Sequence, residues 1–560
     1  MNLNRKFTDL FRGYSLLVIL MCVGFLNQTS FCGDVVIPAP KPLAGKINSL
    51  KMAGKFFKGV ELFKTNSVTA NSSSLSAYLS KSVTFTLDET KRNELFQLKP
   101  EQVTFKIPDG HGSYVELEMY KVKVTTDDFK TGELTGTGTA RYINYEPGLY
   151  YRGIVKGDVS SFASVSIFPD FVMAVFSNSE GNWNLASVRD EKNLYTNNYV
   201  LYNDVDLKSK HDFKCSIDDD SRFDKRSISW SHQQTGLDYL PQQVVRKYFE
   251  CDYKMYQDFG SSTANVNNYV TSFFNSVAAM YQNDSINTVI QQIFVWTTPD
   301  IYVSQTDNTD ILKRFGARMQ NSINGDLAHW VSTRTDISGG VAWVGVLCTP
   351  FEPQDSSGRY AVSVIDNMLV PFPQYSWVVN VVVHEMGHNL GSNHTHNCSW
   401  PGGPIDSCYQ VEGGCYSGPL IPRVGTVMSY CHLNSSVNLA LGFGHYPGDT
   451  VRANIRRAGC LPIGISQVGT EIPAGYMLKQ NYPNPFNPST NIKFLIPEKS
   501  FVELIIYDAL GKQVNVLVNQ DMDAGTYNVD WNALDFPSGI FFYKLTANDF
   551  TETKKMVLIK

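Results

Sequence analysis

The sequence predicts a multidomain chain in which a β-rich N-terminal region precedes an α/β region and then an all-β sandwich. Three observations predict it. With 560 residues the chain exceeds what one core can bury, so about two to four domains are expected. Up to residue 226 short strand-like runs alternate with turns and few helical periods compete, whereas beyond it strands alternate with helical stripes. From residue 474 onward, evenly spaced strand-like runs follow a proline-rich lead-in. A hydrophobic content of 43% and a charged content of 18% are ordinary for globular protein. A net charge of −5, with no long basic run, gives no basis for nucleic-acid binding.

Residues 1–33 stand apart. Arg5, Lys6 and Arg12 precede the apolar stretch Tyr14 to Leu26, and small and polar residues follow. This is the pattern of a secretory signal peptide, and an apolar core of about 13 residues falls short of the ~20 needed to span a bilayer. The expectation is therefore an exported protein with no transmembrane segment once processed. Export permits disulfides, and seven of the ten cysteines (Cys251, Cys348, Cys398, Cys408, Cys415, Cys431, Cys460) lie in the central region. An odd number leaves at least one unpaired among them, and Cys251, isolated in an early strand-like run, is the candidate.

In residues 34–226 strands are predicted at Ser82 to Leu87, Val103 to Ile107, Tyr114 to Val124, Ser161 to Phe168 and Phe171 to Phe176. The polar run Asp218 to Arg226, closing on Lys225-Arg226, marks an exposed and cleavable boundary. Beyond it Gln243 to Cys251 reads as a strand. Val266, Val270, Phe273, Val277 and Met280 form the core stripe of a helix, and Ser285 to Trp296 is a second strand. Thr309 or Asp310 is expected to cap a helix carrying Ile311, Leu312, Phe315 and Met319. Asp326 to Val331 reads as a short helical piece in which His329 is structural. Gly339 to Cys348 reads as the last strand before the next helix. It is either an ordinary edge strand or one on which an extended peptide can pair. Thr450 to Ala458 is expected to be a closing helix.

The chemistry gathers at His384-Glu385-Met386-Gly387-His388-Asn389-Leu390-Gly391-Ser392-Asn393-His394. The preceding apolar run lacks glycine and proline, so a helix can present His384 and His388 one turn apart on one face, as two ligands of one metal ion. Glu385 lies one position round the helix, where its carboxylate can reach a water at the metal as general base without ligating. Gly391 suits the left-handed conformation that ends helices, after which His394 can return as third ligand. His396 is an alternative that the spacing disfavours. Cys215, isolated near the cleavable boundary, is either a thiolate latch occupying the metal's fourth position or an unremarkable free or bonded cysteine.

The pattern His-Glu-x-x-His-x-x-Gly-x-x-His, with Met428 in a turn 34 residues after His394, resembles the metzincin zinc metalloproteases. Within that clan residues 227–462 resemble the reprolysin-like (adamalysin-type) branch, especially bacterial members with the His394 to Cys398 and Met428 to Cys431 sequences. Tyr151-Arg152-Gly153 with Val159 to Phe168 resembles a reprolysin propeptide. The resemblance implies a twisted mixed sheet with helices, one catalytic zinc held by His384, His388 and His394, Glu385 as catalytic base, and Met428 as a structural floor. A structural calcium is compatible with the family and is not specified by these residues. Thr395 departs from the aspartate that many animal relatives carry after the third histidine, and the Cys215 segment lacks the Cys-Gly pairing common in the family's latches.

At the C-terminus Leu478-Lys479-Gln480-Asn481-Tyr482-Pro483-Asn484-Pro485-Phe486-Asn487-Pro488 opens a segment of strand-like runs ending in Lys554-Lys555-Met556-Val557-Leu558-Ile559-Lys560. It resembles the sorting domain recognised by the bacterial type IX secretion system. That resemblance implies partners in that machinery, passage through the periplasm of a Gram-negative bacterium, and release or attachment at the outer surface. The expected organisation is a signal peptide (1–33), a propeptide (34–226), a catalytic domain (227–462), a linker (463–473) and a sorting domain (474–560). The expected function is a secreted zinc endopeptidase made as a latent precursor and acting on proteins or peptides. The alternatives are an inactive adhesin on the same fold, which the complete ligand set disfavours, and a metal-dependent hydrolase of another substrate.

Overall fold

A computed structural model describes residues 41–65, 75–190, 195–209, 243–320, 322–365, 372–458, 460–461, 466–469, 472–487, 489–533 and 536–559. The signal segment, Cys215 and the Lys225-Arg226 boundary lie outside the described residues. Among the described residues the strands build four principal sheets: a ten-stranded sheet from the N-terminal region, a seven-stranded central sheet, and two four-stranded sheets that form a C-terminal sandwich. No described helix is long and apolar enough to cross a membrane.

The central sheet runs in the order Gly340–Ala342, Tyr360–Val364, Leu327–Ser332, Val244–Cys251, Asn287–Trp296, Thr125–Thr135, Thr139–Ile143. The middle strands are parallel and the two outermost pairs antiparallel. Parallel strands covered on both faces lose the alternation that normally identifies strands. Leu327–Ser332 is such a strand, buried at every residue, so the helix expected at Asp326 to Val331 is corrected to a strand. His329 on it contacts Ser363 Oγ at 2.7 Å and stacks on Phe249, away from the histidine motif. The helix Asn308–Met319 is capped by Asp307, whose carboxylate accepts from the amides of Thr309 and Asp310, and not by either of those residues. The Gly339 to Cys348 segment contributes only Gly340–Ala342 as strand, and Tyr360–Val364 intervenes before the motif helix.

Two N-terminal strands complete this central sheet. Thr125–Thr135 pairs parallel with Asn287–Trp296, and Thr139–Ile143 folds back on it. Gly132 is required there, since a Cβ would meet Phe294 Cε1 at 2.8 Å. The long helix Thr263–Asn283 lies between the central sheet and the ten-stranded sheet, with its apolar stripe in the shared core. Its opposite face is polar and is also buried: Ser276 Oγ meets Ser164 Oγ at 2.7 Å, and Asn275 bonds the carbonyls of Tyr151 and Val165. Asn275 also accepts from Arg152 Nε at 3.0 Å. The helices Pro42–Met52 and Glu89–Leu98 belong to this N-terminal region.

In the C-terminal unit Ser466–Gly469 pairs with Gly525–Asn532, so the sandwich begins within the stretch expected to be linker. The strands Ser489–Ile496, Ser500–Asp508, Gln513–Met522, Gly539–Ala547 and Phe550–Leu558 enclose a core that includes Ile492, Leu504, Trp531, Tyr543 and Met556.

One buried charge opposes this packing. Lys247 on the strand Val244–Cys251 is fully buried, and its Nζ has no hydrogen-bond partner among the described residues. Burial lowers its pKa to about 7 from 10.5. The folded-state pKa lies below the unfolded one, so the unfolded chain holds more protons between those values and stability rises with pH across that window. The penalty is present in full below pH 7, roughly 5 kcal/mol by the usual conversion. Lys247→Met should therefore raise the urea midpoint at neutral pH and abolish most of its rise between pH 7 and 9, as followed by tryptophan fluorescence.

Candidate metal centre and its family

The motif helix is Tyr375–Asn389. Valines at 378, 379, 381, 382 and 383 are poor helix formers because β-branching crowds the preceding turn. Burial on all sides overrides that preference, since every residue of the helix is buried. Tyr281 of the long helix donates to the carbonyl of Val383 at 3.1 Å, tying the two helices together. The helix stops at Leu390, and Gly391 follows with φ +103°, a conformation that L side chains rarely adopt. A Cβ there would also run into the Asn454 amide, which donates to the Leu390 carbonyl at 2.9 Å.

The chain then returns, and the three imidazoles converge. His388 Nε2 lies 3.2 Å from His384 Nε2 and 3.1 Å from His394 Nε2. Each ring has its other nitrogen on an acceptor. His384 Nδ1 meets the Val427 carbonyl at 2.8 Å, His388 Nδ1 the Ser392 carbonyl at 2.7 Å, and His394 Nδ1 the Glu412 carboxylate at 2.8 Å. With the proton committed to Nδ1, each Nε2 presents a lone pair, so these close approaches set acceptor against acceptor. Burial pushes His384 and His388 well below the usual imidazole pKa, and neighbouring imidazoles push in the same direction. Burial also lowers His394, with Glu412 opposing. Three neutral, buried imidazoles with converging lone pairs are what a zinc-sized cation requires, and the donor set fits that ion.

Glu385 is fully buried and packs against the sheet edge, where a Cβ on Gly340 would collide with its carboxylate. The helix end holds that edge in place. Asn389 Nδ2 donates to the carbonyls of Trp343 and Tyr360, both at 2.9 Å, and the amides of Gly345 and Val346 donate to the carbonyls of His388 and Asn389. Met428 lies beneath the helix at Gly387, where a Cβ would meet its Sδ at 2.6 Å and Phe443 Cε1 at 2.8 Å. Thr395 joins the return segment to this turn, its amide donating to the Met428 carbonyl at 3.1 Å.

His396 Nε2 contacts Glu412 at 3.1 Å and is directed there, while His394 joins the triad. Three disulfides, Cys348–Cys460, Cys398–Cys415 and Cys408–Cys431, surround the centre, and Cys251 is free and buried. Sequence reasoning missed Glu412 and Asn389. Of these only Glu412 carried a signal, as a lone acidic residue between Cys408 and Cys415.

Residues 241–438 match metallo-peptidase family M12. This region is a reprolysin-like metzincin domain. Residues 480–560 match a secretion system C-terminal sorting domain, so the metzincin domain is followed by a sorting module. A curated relative, a zinc metalloproteinase/disintegrin from Gloydius halys, is 23% identical over 345 residues, covering 56% of this chain and 68% of the relative. A solved structure described as a chaperone-substrate complex matches at 11% identity with a TM-score of 0.23. The match covers 53% of this chain and 38% of that one, a likeness too low to carry an argument.

The metzincin turn supports the metal centre through Val427, so the close approach at Gly387 is testable. Gly387→Ala should cost about 1–3 kcal/mol of stability through overpacking. It should also weaken zinc binding, since displacing Met428 moves the carbonyl that holds His384. Thermal unfolding and chelator competition measure the two effects.

Proposed function

We propose that this protein is a secreted zinc endopeptidase, made as a precursor whose N-terminal region covers the catalytic domain. The observation that carries the reading is the convergence of three Nδ1-anchored imidazoles beside a buried glutamate at a sheet edge. In this reading His384, His388 and His394 hold the zinc, Glu385 is the catalytic base and Met428 is structural. Bound zinc supplies Lewis acidity, polarising a scissile carbonyl and acidifying water. Glu385 takes the proton from the attacking water and passes it to the leaving amine. Its close packing against Gly340 holds the carboxylate against the sheet edge.

Gly340–Ala342 is the outermost strand of the central sheet among the described residues. An extended peptide pairing with its free side would run past Glu385, which favours a main-chain substrate over a small-molecule one. The sorting module is taken to address the protein to the type IX machinery of a Gram-negative cell and on to the outer surface or the medium.

The proposed precursor division lies near Arg226, and the polar face of the helix Thr263–Asn283 supports it. Asn275, Ser276 and their neighbours can exchange bonds to the N-terminal region for bonds to water, as separable interfaces do. The Cys215 latch remains part of this proposal as a candidate ligand in the precursor.

Glu385→Gln should retain zinc at wild-type stoichiometry and lose about 10²–10⁴-fold in cleavage of a denatured protein. Equal cleavage by the variant would sink the mechanism, and cleavage with no zinc bound would sink the metal assignment. In the wild type, chelation should abolish cleavage and added zinc restore it. Binding to a surface receptor with no cleavage of any protein by wild type would favour the adhesin alternative.

A further inference from the structure

The third imidazole differs from the other two in what holds its proton. His384 and His388 are anchored on main-chain carbonyls, whereas His394 Nδ1 is anchored on Oε1 of Glu412. The same oxygen contacts His396 Nε2 at 3.1 Å, and the His396 ring stacks on His394 with centroids 4.9 Å apart and planes 7° from parallel. Glu412 is itself fixed from several sides. Its carbonyl accepts from the Cys398 amide at 2.9 Å, its amide donates to the His396 carbonyl at 3.2 Å, and Asn397 Nδ2 reaches Oε2 at 3.3 Å. The Cys398–Cys415 disulfide closes this ribbon, and Gly413 passes so close that a Cβ would stand 3.0 Å from that of Cys398.

We propose that Glu412 is a positioning residue for the metal ligand His394, and that the Cys398–Cys415 disulfide presents it. The inference rests on the reading of the three histidines as zinc ligands. A carboxylate on Nδ1–H does two things. It fixes the tautomer that leaves Nε2 free, and it raises the basicity of that nitrogen more than a neutral carbonyl does. It also makes the third ligand depend on a loop that is stapled only where thiols are oxidised. In the reduced chain, Glu412 lies 18 residues from His394 with no covalent restraint, and the loop must be closed at the cost of its own entropy. Tight metal binding is then coupled to disulfide formation, and so to export.

The test measures zinc dissociation constants and stoichiometry by chelator competition on the full chain, for wild type, Glu412→Ala, Glu412→Gln and the double variant Cys398→Ser/Cys415→Ser. Nitrogen-15 spectra of the metal-free proteins report the His394 tautomer. Glu412→Ala should bind one zinc about 10- to 100-fold more weakly, and the metal-free His394 should lose its Nδ1-protonated preference. Glu412→Gln, which keeps an acceptor but no charge, should fall between. The disulfide variant should lose a comparable factor, and adding Glu412→Ala to it should cost little more, because both changes act on one contact.

Unchanged affinity in Glu412→Ala would overturn the proposal. So would two zinc ions in wild type falling to one in that variant, since Glu412 would then be a ligand. Should Glu412→Ala fail to fold by circular dichroism, a Glu412→Gln variant with wild-type affinity and tautomer, together with a disulfide variant of unchanged affinity, would overturn it equally. Wild type that binds no zinc would instead remove the ligand reading on which the proposal stands.

Discussion

Imidazole lone pairs about 3 Å apart, as His388 Nε2 is from those of His384 and His394, repel unless a cation lies between them, and they can be held there only by groups that fix each ring's other nitrogen. That constraint organises the centre. The Val427 carbonyl comes from the turn before Met428, the Ser392 carbonyl from the segment released by Gly391, and the Glu412 carboxylate from the disulfide-closed loop. Each acceptor belongs to a different stretch of chain, so the three stretches must all be seated before the nitrogens converge. The close approaches at Gly387 and Gly391 are the conditions for that seating, since any side chain at either would displace a segment that carries or supports an anchor.

The same helix sets the geometry of the neighbouring sheet edge. Its last residues, through the Asn389 amide and the carbonyls of His388 and Asn389, grip the chain just after Gly340–Ala342. The distance between Glu385 and the sheet edge is therefore fixed by hydrogen bonds to main chain, which do not depend on the identity of the edge side chains. The arrangement allows variation at Val341 and Ala342 without moving Glu385, while Gly340 has no such freedom.

Much of this was legible in the sequence because spacing along a helix translates directly into geometry. His384, Glu385 and His388 occupy predictable faces, and Gly391 announces the turn that brings His394 back. The three-part fold class was readable for the same reason, from shifts in period. What was not legible depends on contacts between distant segments. Leu327–Ser332 looked helical because a strand buried on both faces loses its alternation. Glu412 shows no pattern relating it to His394 until the Cys398–Cys415 link is known, and cysteine counting does not yield connectivity. Nor does any local feature of Thr125–Thr135 show that it pairs with a strand some 160 residues later.

The pairing of Thr125–Thr135 with Asn287–Trp296 bears on the order in which the chain is made. Parallel pairing across so long a loop forms slowly, and an unpaired, Ile- and Val-rich strand edge invites association with other chains while it waits. During synthesis the N-terminal hairpin emerges first and has all its residues available before Asn287 appears. This Ile- and Val-rich strand thus meets a resident template as it is produced. Protection of the nascent protein is written into the order of its segments as well as into their composition.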